Sequence, residues 1–263
     1  MWDADVRRVE WEGGAEVDDD VLDVRAVGFS PIKGTRHLVQ PQARFDAAGP
    51  LGDRRFCLVD MRTRRVLRTV QNPSLLAVVA RMQGEALETV LPDGTAVTAV
   101  PEPTGETLTC DYWGRAVDLT FTDGDHDELF STHLGRPVRL AEAPRGGVVF
   151  GQPLTIVATA SLAEVAGGAA VTDLFHRFRA TLLVDTNEPF AEETWLGRVM
   201  TVRGTGAVGG LRVRIGGPVP RCAVIDLDPT TGERTGSLLT TLAATRATNR
   251  AGEPFFGVYA EVV

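Results

Sequence analysis

The chain has 263 residues, more than the ~100–200 of an ordinary single domain, so two domains sharing an interface fit it better than one. Hydrophobic residues make up 43% and charged residues 24%, the balance of a packed globular protein and not of a disordered one. A net charge of -8 and a pI near 5.1 exclude a protein that grips nucleic acid or an anionic membrane through its overall field, so any anionic ligand must be held by a local basic cluster.

The opening stretch MWDADVRRVEWEGG has no apolar core of signal-peptide length, and no later run approaches the ~18 apolar residues of a membrane span, so the expected location is the cytoplasm. From Val21 onward, short alternating or β-branched runs are set apart by Gly, Pro, Asp and Asn. They are ARFD, RRFCLVD, LLAVVARM, TAVTAV and VDLTFT in the first half, and ATLLVD, VMTVRG, LRVRIG and AVIDLD in the second. Helical signals are confined to GDHDELFSTHLG, SLAEVAG and SLLTTLAATRATN. The pattern predicts a mainly β protein, barrels or rolls with a few short helices, divided into domains 21–140 and 141–263. Neither an internal repeat nor the strand–helix alternation of a doubly wound fold is visible.

Several apparent motifs lack the context their chemistry needs. Gly204 to Gly209 spells GxGxxG, but it lies between two strand-like runs and opens no helix, so it reads as a hairpin loop. Asp123, Asp125 and Asp127 imitate the start of a calcium loop, yet Glu128 stands where glycine is required and Leu134 where the bidentate glutamate belongs; a solvated acidic turn is expected. His37, His126, His133 and His176 form no HExxH pair and no triad signature, which leaves them as surface or packing residues. Glu192 and Glu193, adjacent on an expected strand, would point to opposite faces and are assigned structure. Trp195, Phe190 and Phe256 are assigned to the core.

Cys57, Cys110 and Cys222 are too few and scattered for a disulfide framework, a zinc site or an iron–sulfur cluster, so a functional cysteine must act alone. Cys222 follows the Pro-rich turn Gly217-Pro218-Val219-Pro220 and adjoins Arg221, which favours thiolate, the form that binds soft metals or attacks as a nucleophile. The alternative is a small buried hydrophobe opening a strand.

The segment RCAVIDLDPTTGE resembles the RC-x-x-x-x-x-DP-x-TG segment of MOSC domains, named for the C-terminal domain of molybdenum-cofactor sulfurase. Arg177-Phe178-Arg179-Ala180-Thr181 resembles the family's R-F-R-x-N, Pro189 to Trp195 its P-F-x-E-[DE]-x-W, and Phe256-Gly257-Val258-Tyr259 its F-G-x-Y. In the first half, Ser30-Pro31-Ile32-Lys33 and Gly52-Asp53-Arg54-Arg55-Phe56 are similar to the P-x-K and G-D-R signatures of the N-terminal β-barrel that accompanies MOSC domains. The motifs keep the family's order over nearly the whole chain.

The resemblance is to the two-part arrangement of mitochondrial amidoxime reducing component and its bacterial relatives, and implies a MOSC N-terminal β-barrel followed by a MOSC β-barrel, with a molybdenum cofactor (molybdopterin) between them. It implies that Cys222 is the catalytic thiolate on molybdenum and that Lys33, Arg54 and Arg179 hold the pterin and its phosphate, as guanidinium and ammonium groups can. Thr181 and Arg221 belong to the same expected cofactor site. Ser161, heading the capping-box sequence Ser161-Leu162-Ala163-Glu164, is expected to start a helix whose N–H groups face the phosphate.

Three positions depart from the family pattern: Thr181 for asparagine, Pro220 for a small hydroxyl residue, and Val70 for arginine. Arg68, at strand parity with Val70, is the expected substitute. The resemblance implies an oxidoreductase that reduces N-hydroxylated small molecules. No cysteine-bearing ferredoxin domain like that of some relatives is expected, so electrons are expected from a separate flavin or iron–sulfur protein. A sulfur carrier or transferase using a Cys222 persulfide, and a non-catalytic cofactor-binding protein, are the alternatives.

Overall fold

The computed structural model describes residues 20–204 and 210–263. In the first half these form β1 (Asp20–Phe29), β2 (Leu38–Val39), β3 (Phe45–Asp46), β4 (Gly49–Pro50), β5 (Phe56–Asp60), β6 (Arg65–Val66), β7 (Val79–Gln83), β8 (Ala86–Val90), β9 (Ala96–Ala99), β10 (Glu102–Tyr112), β11 (Arg115–Asp123), helix α1 (His126–Leu134) and β12 (Val138–Glu142). The second half contributes β13 (Leu154–Ala158), α2 (Thr159–Val165), α3 (Val171–Phe178), β14 (Leu182–Val184), β15 (Val199–Gly204), β16 (Leu211–Pro220), α4 (Leu238–Thr245) and β17 (Phe255–Val262). As the composition of the runs predicts, strands dominate and the helices are short.

Strands β10, β11, β12, β5 and β6 form one sheet in that order, and β7–β8–β9 a three-stranded meander. The hairpin β10–β11 shows the expected alternation: Leu108, Cys110 and Tyr112 are buried while Thr109 and Asp111 face water. Its tip turns on Trp113 and Gly114, both with positive φ, the backbone of a tight primed turn.

In the second sheet the order is β14-β13-β17-β16-β15-β1, and β14 pairs again with β1, closing a six-stranded barrel. Barrel closure removes the unpaired edges that would otherwise template aggregation. Leu154, Ile156, Leu182, Val213, Ile215 and Val258 fill its interior. Leu183 and Val157 point the other way, into a second core under α2, α3 and α4, which is why β13 and β14 read as unbroken apolar runs.

The strand that closes the barrel comes from the far end of the sequence. β1 pairs parallel to β15 through Leu22↔Val202 and antiparallel to β14 through Val27↔Leu182. A bulge between Val24 and Ala26 shifts its parity, so Leu22, Val24 and Val27 all face inward. β12 meanwhile completes the first sheet against β5. The chain therefore contributes to the second barrel, builds the first unit, and returns.

Some local expectations are overturned. The run AVIDLD is not a strand: Ala223–Asp226 is a 3-10 turn, because the buried Asp226 collects bonds from its own downstream loop, Leu239 N–H to its carboxylate and Thr235 and Gly236 N–H to its carbonyl. VTDLFHRF, assigned no structure beforehand, is helix α3. Asp127 is no solvated turn residue, since its half-buried carboxylate accepts the Leu140 N–H and Arg139. The glycine run lies between antiparallel β15 and β16, and its residues 205–209 fall outside the described residues.

Because β1 supplies one of six barrel strands, a chain beginning at Ala141 should lack a cooperative thermal transition by circular dichroism. Co-expression with a fragment carrying residues 1–140 should restore it. A sharp transition in the shorter chain alone would contradict this reading.

Candidate functional site

The loop Ser30–Thr35 is zipped onto the segment that begins β5. Lys33 N–H donates to the Phe56 carbonyl (2.8 Å), Phe56 N–H to Pro31 (2.9 Å) and Arg54 N–H to Ser30 (2.8 Å). These bonds bring the P-x-K and G-D-R motifs together. The third basic residue arrives from the other unit, as Arg179 caps the C-terminus of α3 in a left-handed conformation (φ 52°). Lys33, Arg54, Arg179 and Thr181 line one cavity of ≈ 80 Å³, together with Gly28, Phe29, Ser30, Gly34, His37, Asp53 and Thr69.

The charges there are poorly compensated. Arg54 donates from Nε to the buried Asp53 carboxylate (2.8 Å) and from Nη2 to the same oxygen. Burial opposes the charge of Arg54, but Asp53 outweighs it and lifts the group above its ordinary value. Arg179 has no such partner, and its Nη1 is buried without a hydrogen bond among the described residues. Burial, and then the charge of Arg54, lower its pKa to about 10. Arg54 also has positive φ (44°). Two arginines in a backbone region that ordinarily favours glycine indicate that their side chains, not their backbones, are what the site requires.

Cys222 does not line this cavity. It is exposed, at the end of β16, opening the 3-10 turn. The buried Arg221 donates from Nη1 to the Phe178 carbonyl (2.9 Å) and from Nε to Phe256 (2.9 Å), so one guanidinium ties the thiol's neighbour to the residue preceding Arg179. Its role is thus to brace, and burial brings it down to about 10. The loop after Cys222 is anchored likewise: Arg177 donates to the Leu227 carbonyl (2.7 Å), Arg36 to Thr230 (2.8 Å), and Asp228 accepts from Thr230 and Thr231.

The other motifs resolve into packing. Phe256 stacks on Phe178 with centroids 4.3 Å apart, and a side chain at Gly257 would collide with the Ile156 carbonyl, 2.5 Å from an ideal Cβ. Ser161 is not a cap. α2 starts at Thr159 with Ala158 before it, and the buried Ser161 hydroxyl donates to Glu192 (2.7 Å) and accepts from Phe190 N–H (2.7 Å). Glu192 and Glu193 lie on a 3-10 turn, not a strand; Glu192 is buried and Glu193 pairs with Arg246. Thr181 spends its hydroxyl on Thr155 N–H (3.2 Å).

Arg68 does not replace an arginine at Val70. Residues 69–71 form a 3-10 turn, which breaks strand parity, and Arg68 lies over the Trp113 ring at 4.0 Å. Thr69 reaches the cavity instead. Sequence reasoning also missed His37, which lines the cavity and has no motif to announce it.

A cavity lined by three cations, in a chain whose six-stranded β-barrel has a braced, exposed cysteine at the end of β16, defines a β-barrel protein with a candidate anion site. The chain matches the MOSC N-terminal beta barrel domain over residues 21–137 and the MOSC domain over residues 130–263. It belongs to the MOSC family. Among curated proteins it is similar to molybdenum cofactor sulfurase of Drosophila mojavensis (31% identity over 40% of this chain and 12% of that protein), of Drosophila melanogaster (32%, over 32% and 9%) and of Danio rerio (34%, over 33% and 9%). The chain thus spans about a tenth of those relatives. A solution structure of a Bordetella bronchiseptica protein aligns at 17% identity, covering 43% of this chain and 93% of that one, with a TM-score of 0.31.

The two cavity arginines should respond oppositely to replacement. Arg179→Gly removes a half-buried guanidinium with an unpartnered Nη1 and a left-handed non-glycine residue, and should leave stability unchanged or raise it by about 1 kcal/mol. Arg54→Ala strands the buried Asp53 and should cost about 3 kcal/mol. Urea unfolding of both variants checks the contrast.

Burial holds His37 well below its ordinary 6.5, with His126 and His176 lowered in the same direction. Their unfolded counterparts take protons as pH falls through about 6.5 while the folded ones do not. Stability should therefore be full above pH 7 and fall on going to pH 5, by at most about 1.4 kcal/mol per unit for each histidine. His37→Asn should flatten that slope.

Proposed function

We propose that this chain holds a molybdenum–pterin cofactor and reduces N-hydroxylated small molecules with electrons from a separate flavin or iron–sulfur protein. The observation that carries the first part is Arg179: a buried Nη1 without a partner, in a cavity where Lys33, Arg54 and Arg179 face a single carboxylate, Asp53. A phosphate monoester supplies the missing acceptor and charge.

The residues present fit such a group. Lys33, Arg54 and Arg179 would hold its phosphate, and Cys222, exposed and on a braced turn, would supply a soft thiolate ligand to the metal. The bound cofactor supplies the two-electron chemistry, and the protein binds and orients it. Arg221 and the anchored 227–236 loop fix where the thiol sits. Cys57 does not compete, since burial pushes its thiol up to about 12. Among the described residues no helix is long and apolar enough to cross a membrane, which accords with a water-exposed setting for the thiol.

A second reading has Cys222 carrying a persulfide. It draws on the exposed thiol and on the sulfurases among the relatives.

Protein from a molybdenum-replete host should carry molybdenum and pterin in near-equal amounts. Cys222→Ser should fold, keep pterin through the cavity cations, and lose N–O reduction with an artificial donor, while Cys110→Ser stays active. Folded protein with neither component after reconstitution defeats the cofactor reading. Cyanide-releasable sulfur lost in Cys222→Ser, with metal irrelevant to activity, selects the persulfide.

A further inference from the structure

His37 in the cavity wall, and His176 behind it, have no part in holding the phosphate. His37 is buried and lines the cavity, with Nε2 2.9 Å from the Ala180 carbonyl, between Arg179 and Thr181. A carbonyl only accepts, so this nitrogen carries the hydrogen and Nδ1 of the neutral ring is a bare acceptor. Nδ1 of the half-buried His176 lies 3.2 Å from it and must donate. The bonds therefore run one way, from His176 through His37 to the backbone that carries Arg179.

The arrangement is built in. An ideal Cβ on Gly28 would stand 2.2 Å from Cε1 of His37, so the ring occupies space that only glycine leaves, and Phe175 meets it edge-on with centroids 5.0 Å apart. Arg179 faces both rings, while Arg36 and Asp173 face His176. Lys33, Arg54 and Asp53 line the same cavity. Burial first, and the charge of Arg179 after it, lower both rings, while Asp173 works the other way on His176.

We propose that filling the cavity with a tetrahedral dianion makes the His37–His176 pair take up one proton from solvent. This rests on the phosphate reading above. The dianion offsets Arg179, whose repulsion adds to burial in keeping the pair neutral. The proton enters at His176 Nε2, and no hydrogen bond is lost because Nδ1 still donates. Passing the Nδ1 proton to His37 leaves His37 donating through both nitrogens, still without a broken bond. A second proton would set donor against donor across 3.2 Å, so uptake stops at one.

Sulfate is the probe, because it stays a dianion across the working range. Calorimetric titration of the full chain at pH 5.5 and 7.5, in buffers of different ionisation enthalpy, should show binding about tenfold tighter at the lower pH, with uptake approaching one proton per sulfate. The imidazole resonances of His176 should titrate about two units higher with sulfate present. His176→Asn should bind sulfate with the same affinity at both values. Equal affinity and no proton uptake in the wild-type protein, or unchanged pH dependence in His176→Asn, would overturn the proposal. Absence of sulfate binding at either pH would overturn the phosphate reading with it.

Discussion

A guanidinium nitrogen that is buried without a hydrogen-bond partner raises the free energy of the fold that contains it, and Nη1 of the half-buried Arg179 is such a group among the described residues. Much of the surrounding structure is arranged to bear that cost. Thr181, two residues on, is fastened to Thr155 and Gly28; His37 holds the intervening Ala180 carbonyl; and Arg221 takes the Phe178 carbonyl just before it. With neighbours fixed on both sides, the arginine cannot withdraw to solvent, and the cavity stays positive until an anion enters. The braces are themselves neutral or engaged: His37 is uncharged, and Arg221 is occupied with two carbonyls.

The sequence motifs near this cavity divide by what holds them. Lys33, Arg54 and Arg179 were marked by the family motifs that carry them, in accord with the need of an acidic chain for a local group of cations, and they do meet. Ser161 misled because a capping box is a local pattern, whereas its hydroxyl is claimed by Glu192, thirty-one residues away. The same non-local bond hid the role of Glu192, which parity on a strand could not reveal. His37 was invisible for a different reason, since its position depends on an empty Cβ site at Gly28 and on helix α3, whose spacing Val171, Leu174, Phe175, Phe178 is helical but was overlooked in so short a run.

The strand pattern was read well where one face is wet, as in β11, though its partner β10 was missed, and less well where a turn interrupts an apolar run. AVIDLD has the composition of a strand and becomes a turn because Asp226 gathers the following loop around itself. The barrel itself was expected, but its sixth strand was not, since nothing in the local composition of β1 says that its partners lie in the other half of the chain.

That pairing has a consequence for the chain during its synthesis. Val24 must wait for Val184 to emerge, and at about 5–20 residues per second the interval is roughly ten to thirty seconds. Over that time β1 is an apolar strand with two unsatisfied edges, tethered to a first unit that can already be packing. Its alternating charges Asp23 and Arg25, exposed in the finished barrel, are placed to keep the waiting strand from joining its own kind on neighbouring nascent chains. The newborn molecule is thus a folded unit trailing an open stave, and the ribosome's pace sets how long it remains so.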